Sequence, residues 1–461
     1  MSETKIIVLD DDPTGSQTVH SCLLITRWDV ETLKQGLQDA APLFFVLTNT
    51  RGMSATEAAE LTRIVCRNLR QALDELADEG LSINPLLVSR SDSTLRGHYP
   101  VETDVIAEEL GPFDAHFMVP AFFEGGRKTI DSIHYLVVDG KDIPVHETEF
   151  ANDSVFGYSH SYLPDYVEEK TAGRIQASEV ERFDLDAVRG DSLSRLLALQ
   201  DNVCCVVDGE TQDDLNHFCR QLMQAAQQGK RFLFRSAASL LTALAELPPQ
   251  PVAAEKMREY VRNDMAGAVI VGSHVKKTTQ QLNQLLQQDG TTGIGIDVSM
   301  IQDHRTQLLE DIIAEADRCQ VKNITPVIYT SRTELQFHDQ ESRLAFGEKV
   351  SAFLMDVVRN LPVTTGFLIS KGGITSNDVL SDGLALRTSR VAGQILAGCS
   401  VVRCPDDHPR FPGMPVVIFP GNVGDENALA TVLQRLRPEA GAELGSEHNK
   451  TLQARQLNQA V

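Results

Sequence analysis

Val8-Leu9-Asp10-Asp11-Asp12-Pro13-Thr14-Gly15 ends the first apolar run of the chain. Lys5 to Val8 reads as a buried strand, and three consecutive carboxylates then meet a turn. Adjacent carboxylates repel one another, and nothing structural asks for three in a row. They make sense where a proton is to be taken, a metal held or hydroxyls gripped.

Working outward, strand-like runs alternate with helical periods. Ile6–Leu9, Cys22–Ile25, Leu43–Leu47, Leu86–Val88, Phe117–Val119, Leu136–Val138, Val203–Val207 and Phe232–Phe234 are the apolar runs of the first half. Between Ser54 and Leu76, the spacing Leu61, Ile64, Val65, Leu69, Leu73, Leu76 predicts an amphipathic helix, with Ser54 and Glu57 as a capping box. The pattern breaks at Leu247-Pro248-Pro249-Gln250-Pro251, because three prolines in four residues fit neither a helix nor a central strand. A second alternation follows through Ala268–Val271, Gly293–Val298, Val327–Tyr329, Phe367–Ile369, Val401-Val402 and Val416–Phe419, with helical periods at Thr278–Leu286, Gln307–Ala316 and Leu344–Val358.

The expected fold is α/β, in two domains, each with a mainly parallel sheet flanked by helices and with the active site in the cleft between them. The expected boundaries are 1–247, a linker at 248–256, 257–437, and a polar tail without periodicity at 438–461. Gly140 to Gly173 reads as a long excursion from the sheet, and loops of that length are often functional or cover a site.

The length of 461 residues suits two domains, and 42% hydrophobic with 23% charged residues is ordinary for a globular chain. No apolar run approaches the roughly 18 to 20 residues that span a bilayer, and the first strand runs into acids rather than following a signal pattern. A cytoplasmic location is the expectation. The eight cysteines form no CxxC pair and no zinc spacing, so they read as reduced, buried thiols. A net charge of −22 argues against nucleic acid and would repel an anionic substrate, which must then be held by local cations or backbone amides. The sequence is silent on oligomeric state, and a homo-oligomer stays open.

Three strands of the second half end alike, each in a small-residue turn followed by a helix: Gly272-Ser273-His274, Ser370-Lys371-Gly372-Gly373-Ile374-Thr375 and Pro420-Gly421-Asn422-Val423-Gly424. Such turns offer unpaired N–H groups and let a phosphate approach the backbone, so the three together point to a nucleotide phosphate site. Neither GxxxxGK[ST] nor GxGxxG is present. The first half ends its strands in charge: the acidic triplet, Thr48-Asn49-Thr50-Arg51-Gly52, and Ser89-Arg90-Ser91-Asp92-Ser93-Thr94-Leu95-Arg96-Gly97-His98. Guanidiniums capture carboxylates in bidentate fashion, and hydroxyls with acids grip hydroxyls, so this set suits a small polyhydroxy acid. Glu124-Gly125-Gly126-Arg127-Lys128 adds a fourth cationic turn, open between binding and plain loop.

Two other readings stay open on the residues alone. Asp10-x-Asp12-x-Thr14 with Leu47-Thr48-Asn49 also fits a haloacid-dehalogenase-type magnesium phosphatase, with Asp10 as nucleophile and Asp12 as acid/base. A non-catalytic sensor of sugar acid and nucleotide would keep both binding sites.

The ordered set Asp11-Asp12-Pro13-Thr14-Gly15, Thr50-Arg51, Asp92-Ser93-Thr94-Leu95-Arg96-Gly97, Gly272-Ser273, Gly372-Gly373-Ile374-Thr375 and Pro420-Gly421-Asn422-Val423-Gly424 resembles the four-carbon acid sugar kinase family, from about residue 4 to 436. The resemblance implies an N-terminal domain that binds the acid sugar and a C-terminal domain that binds ATP. It implies transfer of the γ-phosphate, with Mg2+, to a hydroxyl of a tetronate such as threonate or erythronate, the terminal one being the family expectation. Substrate residues would be Asp12, Arg51, Arg90, Ser91, Asp92, Ser93, Thr94 and Arg96, with Asp12 facing the reacting hydroxyl and Arg51, with Arg90 or Arg96, holding the carboxylate. ATP residues would be Ser273, Gly372, Gly373, Ile374, Thr375, Gly421, Asn422 and Gly424. The chain departs from the family pattern at Ser89-Arg90-Ser91 and at His98, within the substrate cluster, which leaves the particular tetronate and its stereochemistry open.

Overall fold

The computed structural model describes residues 3–332, 338 and 340–437, so the expected tail at 438–461 lies outside the described residues. The strands of the first half are β1 (Glu3–Asp10), β2 (Leu23–Ile25), β3 (Leu43–Leu47), β4 (Ile83–Arg90), β5 (Ala115–Val119), β6 (Arg127–Ile130), β7 (Ile133–Val138), β8 (Lys141–Pro144), β9 (Glu181–Phe183), β10 (Val203–Val207) and β11 (Phe232–Ser236). Those of the second half are β12 (Ala268–Val271), β13 (Thr291–Ile296), β14 (Thr325–Thr330), β15 (Leu368–Lys371), β16 (Thr388–Leu396), β17 (Cys399–Arg403) and β18 (Pro415–Phe419).

The α/β class and the mainly parallel pairing are as expected. Strands β2-β3-β1-β4-β11-β5-β10-β9 form one parallel set and β13-β14-β12-β15-β18 another. Val8 of β1 stands between Phe45 of β3 and Val88 of β4, all three buried. Helices cover both faces, which is why these strands are continuous apolar runs rather than alternating ones.

The two sets are not separate sheets. Among the described residues they join into one sheet of fifteen strands, through β17 and β16. β16 lies antiparallel to β2, with Thr388 opposite Ile25 and Arg390 opposite Leu23. Its sequence, TSRVAGQIL, mixes polar residues and glycine into the run and carries no strand signal of its own. It covers the edge that a three-residue β2 would otherwise expose. Pairing through β16, β17 and β18 is antiparallel at each step, so the two parallel sets run in opposite senses. The β16–β17 register slips twice, between Val391 and Gly393 and between Gln394 and Leu396, and such bulges bend a sheet.

Leu136–Val138 is a correction in place: it belongs to β7 of a separate antiparallel sheet, β6-β7-β8, outside the main one. The helix Ala55–Asp78 has its capping box at Ser54 and Glu57. Its buried stripe runs Ala58, Thr62, Val65, Cys66, Leu69, Ala72, Leu76, while Ile64 is exposed. Neighbouring helical residues point about 100° apart; the stripe takes in Val65 and Cys66, and Ile64, one step before Val65, falls outside it. All eight cysteines are buried and unpaired. Among the described residues, no helix is long and apolar enough to cross a membrane.

Candidate functional site

The carboxyl ends of β1, β3, β4 and β11 stand side by side, and the charged turns predicted from sequence follow the first three. Arg51 donates from Nε and Nη2 to the two oxygens of Asp11, at 3.2 and 2.5 Å, and its Nη1 lies 3.4 Å from Asp12 Oδ2. Ser91 Oγ donates to Asp11 at 2.5 Å. Asp11 is therefore an internal anchor. Asp12 is partly open and turns its other oxygen, Oδ1, to the amide and hydroxyl of Thr14, at 2.8 and 2.5 Å. Burial works against its ionisation, but Arg51 and the two Thr14 hydrogen bonds hold the carboxyl below the usual range, so it is an anion at neutral pH.

Asp10 differs from its two neighbours. It is completely buried, its carboxylate oxygens have no hydrogen-bond partner, and Arg90 Nη1 is 3.7 Å away. Burial pushes it up to about 8 against the pull of Arg90, with Asp11 and Asp12 adding to the rise. The backbone at Gly15 packs directly on this carboxyl, and a Cβ there would overlap it. A residue sealed in this way is not placed to attack a phosphate, which removes the nucleophile required by the phosphatase reading.

The Ser91–Arg96 turn is held from two sides. Asp92 accepts from the amide and hydroxyl of Thr94 and from Arg96 Nε at 2.9 Å. Arg51 and Arg96 keep it well below the usual carboxylate range despite burial. The segment after β5 closes over the turn: Tyr158 donates to Thr94 O at 2.8 Å, Tyr166 to Leu95 O at 2.7 Å, and His134 Nε2 contacts Ser93 O at 2.8 Å. The excursion read at Gly140 to Gly173 therefore begins earlier, with β6, and braces this turn. His98 Nε2 meets the carbonyls of Thr50 and Met53 at 3.1 and 3.0 Å and ties two turns together. Sequence reasoning missed Glu102 and Arg235, a buried pair 3.7 Å apart beneath the site, with Thr50 Oγ1 donating to Glu102 at 2.5 Å. Glu102 lies in the first turn of the helix Val101–Leu110 and Arg235 inside an apolar strand, and neither belongs to a turn that the sequence marks.

The three small-residue turns of the second half converge on one cavity of about 490 Å³. Gly272, Ser273, Gly372, Gly373, Ile374, Thr375, Gly421 and Asn422 line it, with Thr330, Val350 and Leu354 among the other walls. Gly424, also expected there, is not a lining residue; it packs against Ala428 where the last helix begins. Gly372 adopts φ 118°, a conformation open to glycine, and this lets the chain turn from β15 into the helix at Gly373. Lys371, quoted in the turn but given no role, is buried at the end of β15. It donates to Pro420 O at 2.5 Å and Gly421 O at 3.1 Å and lies 4.2 Å from the centre of the Phe419 ring. It thus pins one turn to the next, and burial pushes its ammonium down to about 7.

The two edges meet. A Cβ placed on Gly373 would lie 3.5 Å from Asp12 Oδ2, and Ser16 Oγ is 3.3 Å from Ser400 Oγ of β17. The anionic carboxylate of the first half therefore faces the wall of the cavity in the second.

A family model described as a sugar-binding N-terminal domain matches residues 6–244, more than half of the chain, and one described as a nucleotide-binding C-terminal domain matches 268–429. The chain belongs to the four-carbon acid sugar kinase family. Relatives of this family include a D-erythronate kinase of Heliobacterium modesticaldum, 30% identical over 169 residues, which are 36% of this chain and 36% of that one. A D-threonate kinase of Bordetella bronchiseptica is 28% identical over 165 residues, 34% of this chain and 37% of its own. The chain is thus matched over little more than a third of either relative's length. Two crystal structures share the fold of this chain. A Salmonella typhimurium LT2 protein described as a tRNA synthase aligns over 93% of this chain and 98% of its own, with TM-score 0.66 and 18% identity. A Haemophilus influenzae protein of the DUF1537 family aligns over 93% and 100%, with TM-score 0.61 and 16% identity.

Proposed function

We propose that the chain is an ATP-dependent kinase that phosphorylates a hydroxyl, the terminal one, of a four-carbon sugar acid such as D-threonate or D-erythronate. The observation that carries this reading is the approach of Asp12 to Gly373, which sets a carboxylate anion against the glycine turn of the cavity. The family and the kinase names of the two relatives support it. On this reading residues 1–247 hold the sugar acid, 248–256 link the halves and 257–437 hold the nucleotide, within a cytoplasmic enzyme.

ATP occupies the cavity, with its phosphates on the backbone amides at Gly372-Gly373 and Gly421. The sugar acid lies on the charged edge opposite. Asp12 accepts a hydrogen bond from the attacking hydroxyl and orients its lone pair toward the phosphorus. As a weak base it takes the proton late, which suits phosphoryl transfer, where positioning and charge neutralisation dominate. Among the described residues, no three His, Cys, Asp or Glu side chains gather into a metal cage. Mg2+ would arrive with ATP, held by the phosphate oxygens and water, which leaves Asp12 to the hydroxyl. When bound, the metal neutralises phosphate charge.

The deciding measurement is ADP release from ATP with and without D-threonate, D-erythronate and their enantiomers. A kinase releases ADP only with an acceptor. Release of phosphate from an aryl phosphate without nucleotide would overturn the reading, and binding of both ligands with no ADP would leave a sensor.

A further inference from the structure

Among the described residues, five arginines stand at the charged edge, and four have a carboxyl group within ion-pair distance. Arg51 is spent on Asp11 and Asp12, Arg90 faces Asp10, Arg96 holds Asp92, and Arg235 faces Glu102. The expectation that Arg51 with Arg90 or Arg96 takes the substrate's carboxylate therefore meets a difficulty: each would have to give up an internal partner.

Arg127 is the fifth. It opens β6, directly after the glycine turn Phe122–Gly126, and its backbone pairs both ways with Phe122, at 2.8 and 3.0 Å. Its Nη1 donates to Gly125 O, and the guanidinium carbon lies 5.9 Å from the Phe122 ring centre. Its Nε is buried without a partner, and among the described residues no carboxylate lies within ion-pair distance of it. Asp92 and Arg96 are its charged neighbours. The next residue, Lys128, is engaged with Asp142 at 3.0 Å and Glu210 at 3.7 Å. Glu124 in the same turn accepts from Gln394 of β16 at 3.0 Å, which puts the turn at the junction of the two halves.

A half-buried guanidinium with an unmet donor and no counter-ion is costly unless an anion completes it. Arginine's planar fork matches a carboxylate in bidentate geometry. We infer that Arg127 receives the carboxylate of the substrate and thereby sets the preference for sugar acids over neutral sugars. The inference rests on the sugar-acid kinase reading. It answers the charge of −22 as well, because Arg127, the guanidinium of this edge with no carboxyl group within ion-pair distance among the described residues, is a local cation of the kind an anionic substrate needs.

The test uses the full chain and the substitutions Arg127→Gln and Arg127→Lys, with D-threonate, D-erythronate and the primary amide of each acid as competitor. In Arg127→Gln, KM for the acid rises roughly 10- to 100-fold, as for loss of a charged hydrogen-bonded pair, while KM for ATP stays within twofold. Selectivity for acid over amide collapses, and Arg127→Lys recovers part of it. An unchanged KM for the acid, or equal weakening of acid and amide, would overturn the assignment and leave Arg127 with a packing role. Calorimetric titration of the acid separates the two readings. If the wild type binds acid but releases no ADP, the kinase reading fails while loss of binding in Arg127→Gln still upholds the inference. If the wild type binds neither acid, both fall. Should the glutamine variant fail to fold, the lysine variant keeps the stem and the charge and reports on the fork alone.

Discussion

The two facing edges are built from opposite materials. The edge of the first half is a lattice of side chains, where Arg51, Asp11, Asp12, Ser91, Asp92 and Arg96 hold one another through charged hydrogen bonds. The edge of the second half is backbone: three turns of glycine, serine and threonine around a cavity, with Lys371 beneath pinning one turn to another. The contrast suits the ligands proposed. A tetronate differs from other small sugars in where its charge and hydroxyls sit, which only side chains can read. The phosphates of a nucleotide are alike wherever they occur, and amides suffice. A chain built so should lose one ligand at a time when either edge is damaged.

Asp12→Asn is the sharpest test of that division and carries the largest expected effect. It removes the anion but keeps the shape, so kcat should fall on the order of 10²- to 10³-fold, a range met when a positioned acid–base group is lost. Nucleotide affinity, read by titration with a non-hydrolysable ATP analogue, should stay within about twofold. A comparable loss of nucleotide binding would mean that Asp12 serves the second edge, and the comparison would break at its centre.

Gly373→Val is the converse. A Cβ alone would sit 3.5 Å from Asp12 Oδ2, in ordinary contact, but the two methyls of valine add bulk where a phosphate has to approach the turn. Nucleotide affinity should fall roughly 10- to 100-fold, about 1.4 kcal/mol for each factor of ten, with sugar-acid binding measured alone left nearly intact. Undisturbed ATP binding would remove the glycine turn from the phosphate site.

The charged edge also leaves a signature in stability, through Asp10. Asp10 titrates near 8 in the folded chain, pushed up by burial, and in the ordinary carboxylate range when unfolded. Between those values the folded state holds one proton more than the unfolded state. Its stabilising contribution is therefore full below about pH 4 and lost as pH rises toward 8, at about 1.4 kcal/mol per pH unit. Asp10→Asn removes that slope, so urea unfolding at pH 5, 6.5 and 8 should show the variant gaining on the wild type as pH rises. Parallel curves would mean that Arg90 keeps Asp10 ionised in the folded chain.

The same contrast explains what could be read in advance. The parallel strands were legible because burial on both faces makes them continuous apolar runs, and the turns because glycine, proline and runs of acid or hydroxyl stand out. β16 was not legible: its polar residues and Gly393 break the run, yet it joins the halves into one sheet. Arg51, Arg90 and Arg96 were visible as arginines, but a sequence does not show which guanidinium has its carboxylate already. For Arg90 and Arg51 that depends on Asp10 and Asp11 arriving from another strand end, a matter of tertiary pairing, whereas Arg96 takes Asp92 from its own turn. Arg127 stood out least, beside Lys128 in an ordinary basic turn, and differs only in lacking an acid partner among the described residues.

The smallest expected effect concerns the brace rather than the site. Leu95 sits at φ 67°, a left-handed conformation unfavourable for a branched side chain, in the middle of the Ser91–Arg96 turn. Strain of this kind costs on the order of 1–3 kcal/mol and persists only where surroundings hold it. Here the carbonyl of Leu95 accepts the buried hydroxyl of Tyr166, and the preceding carbonyl accepts that of Tyr158. Both tyrosines come from the segment that interrupts the sheet between β5 and β9, so the interruption supplies the clamp for the strained turn. Tyr166→Phe deletes one hydrogen bond of about 1 kcal/mol without changing the packing. KM for the sugar acid should rise severalfold, and KM for ATP should not move, because the turn belongs to the charged edge alone. Equal shifts in both would mean that the brace acts on the junction between the halves, through Glu124 and Gln394, and not on the turn itself.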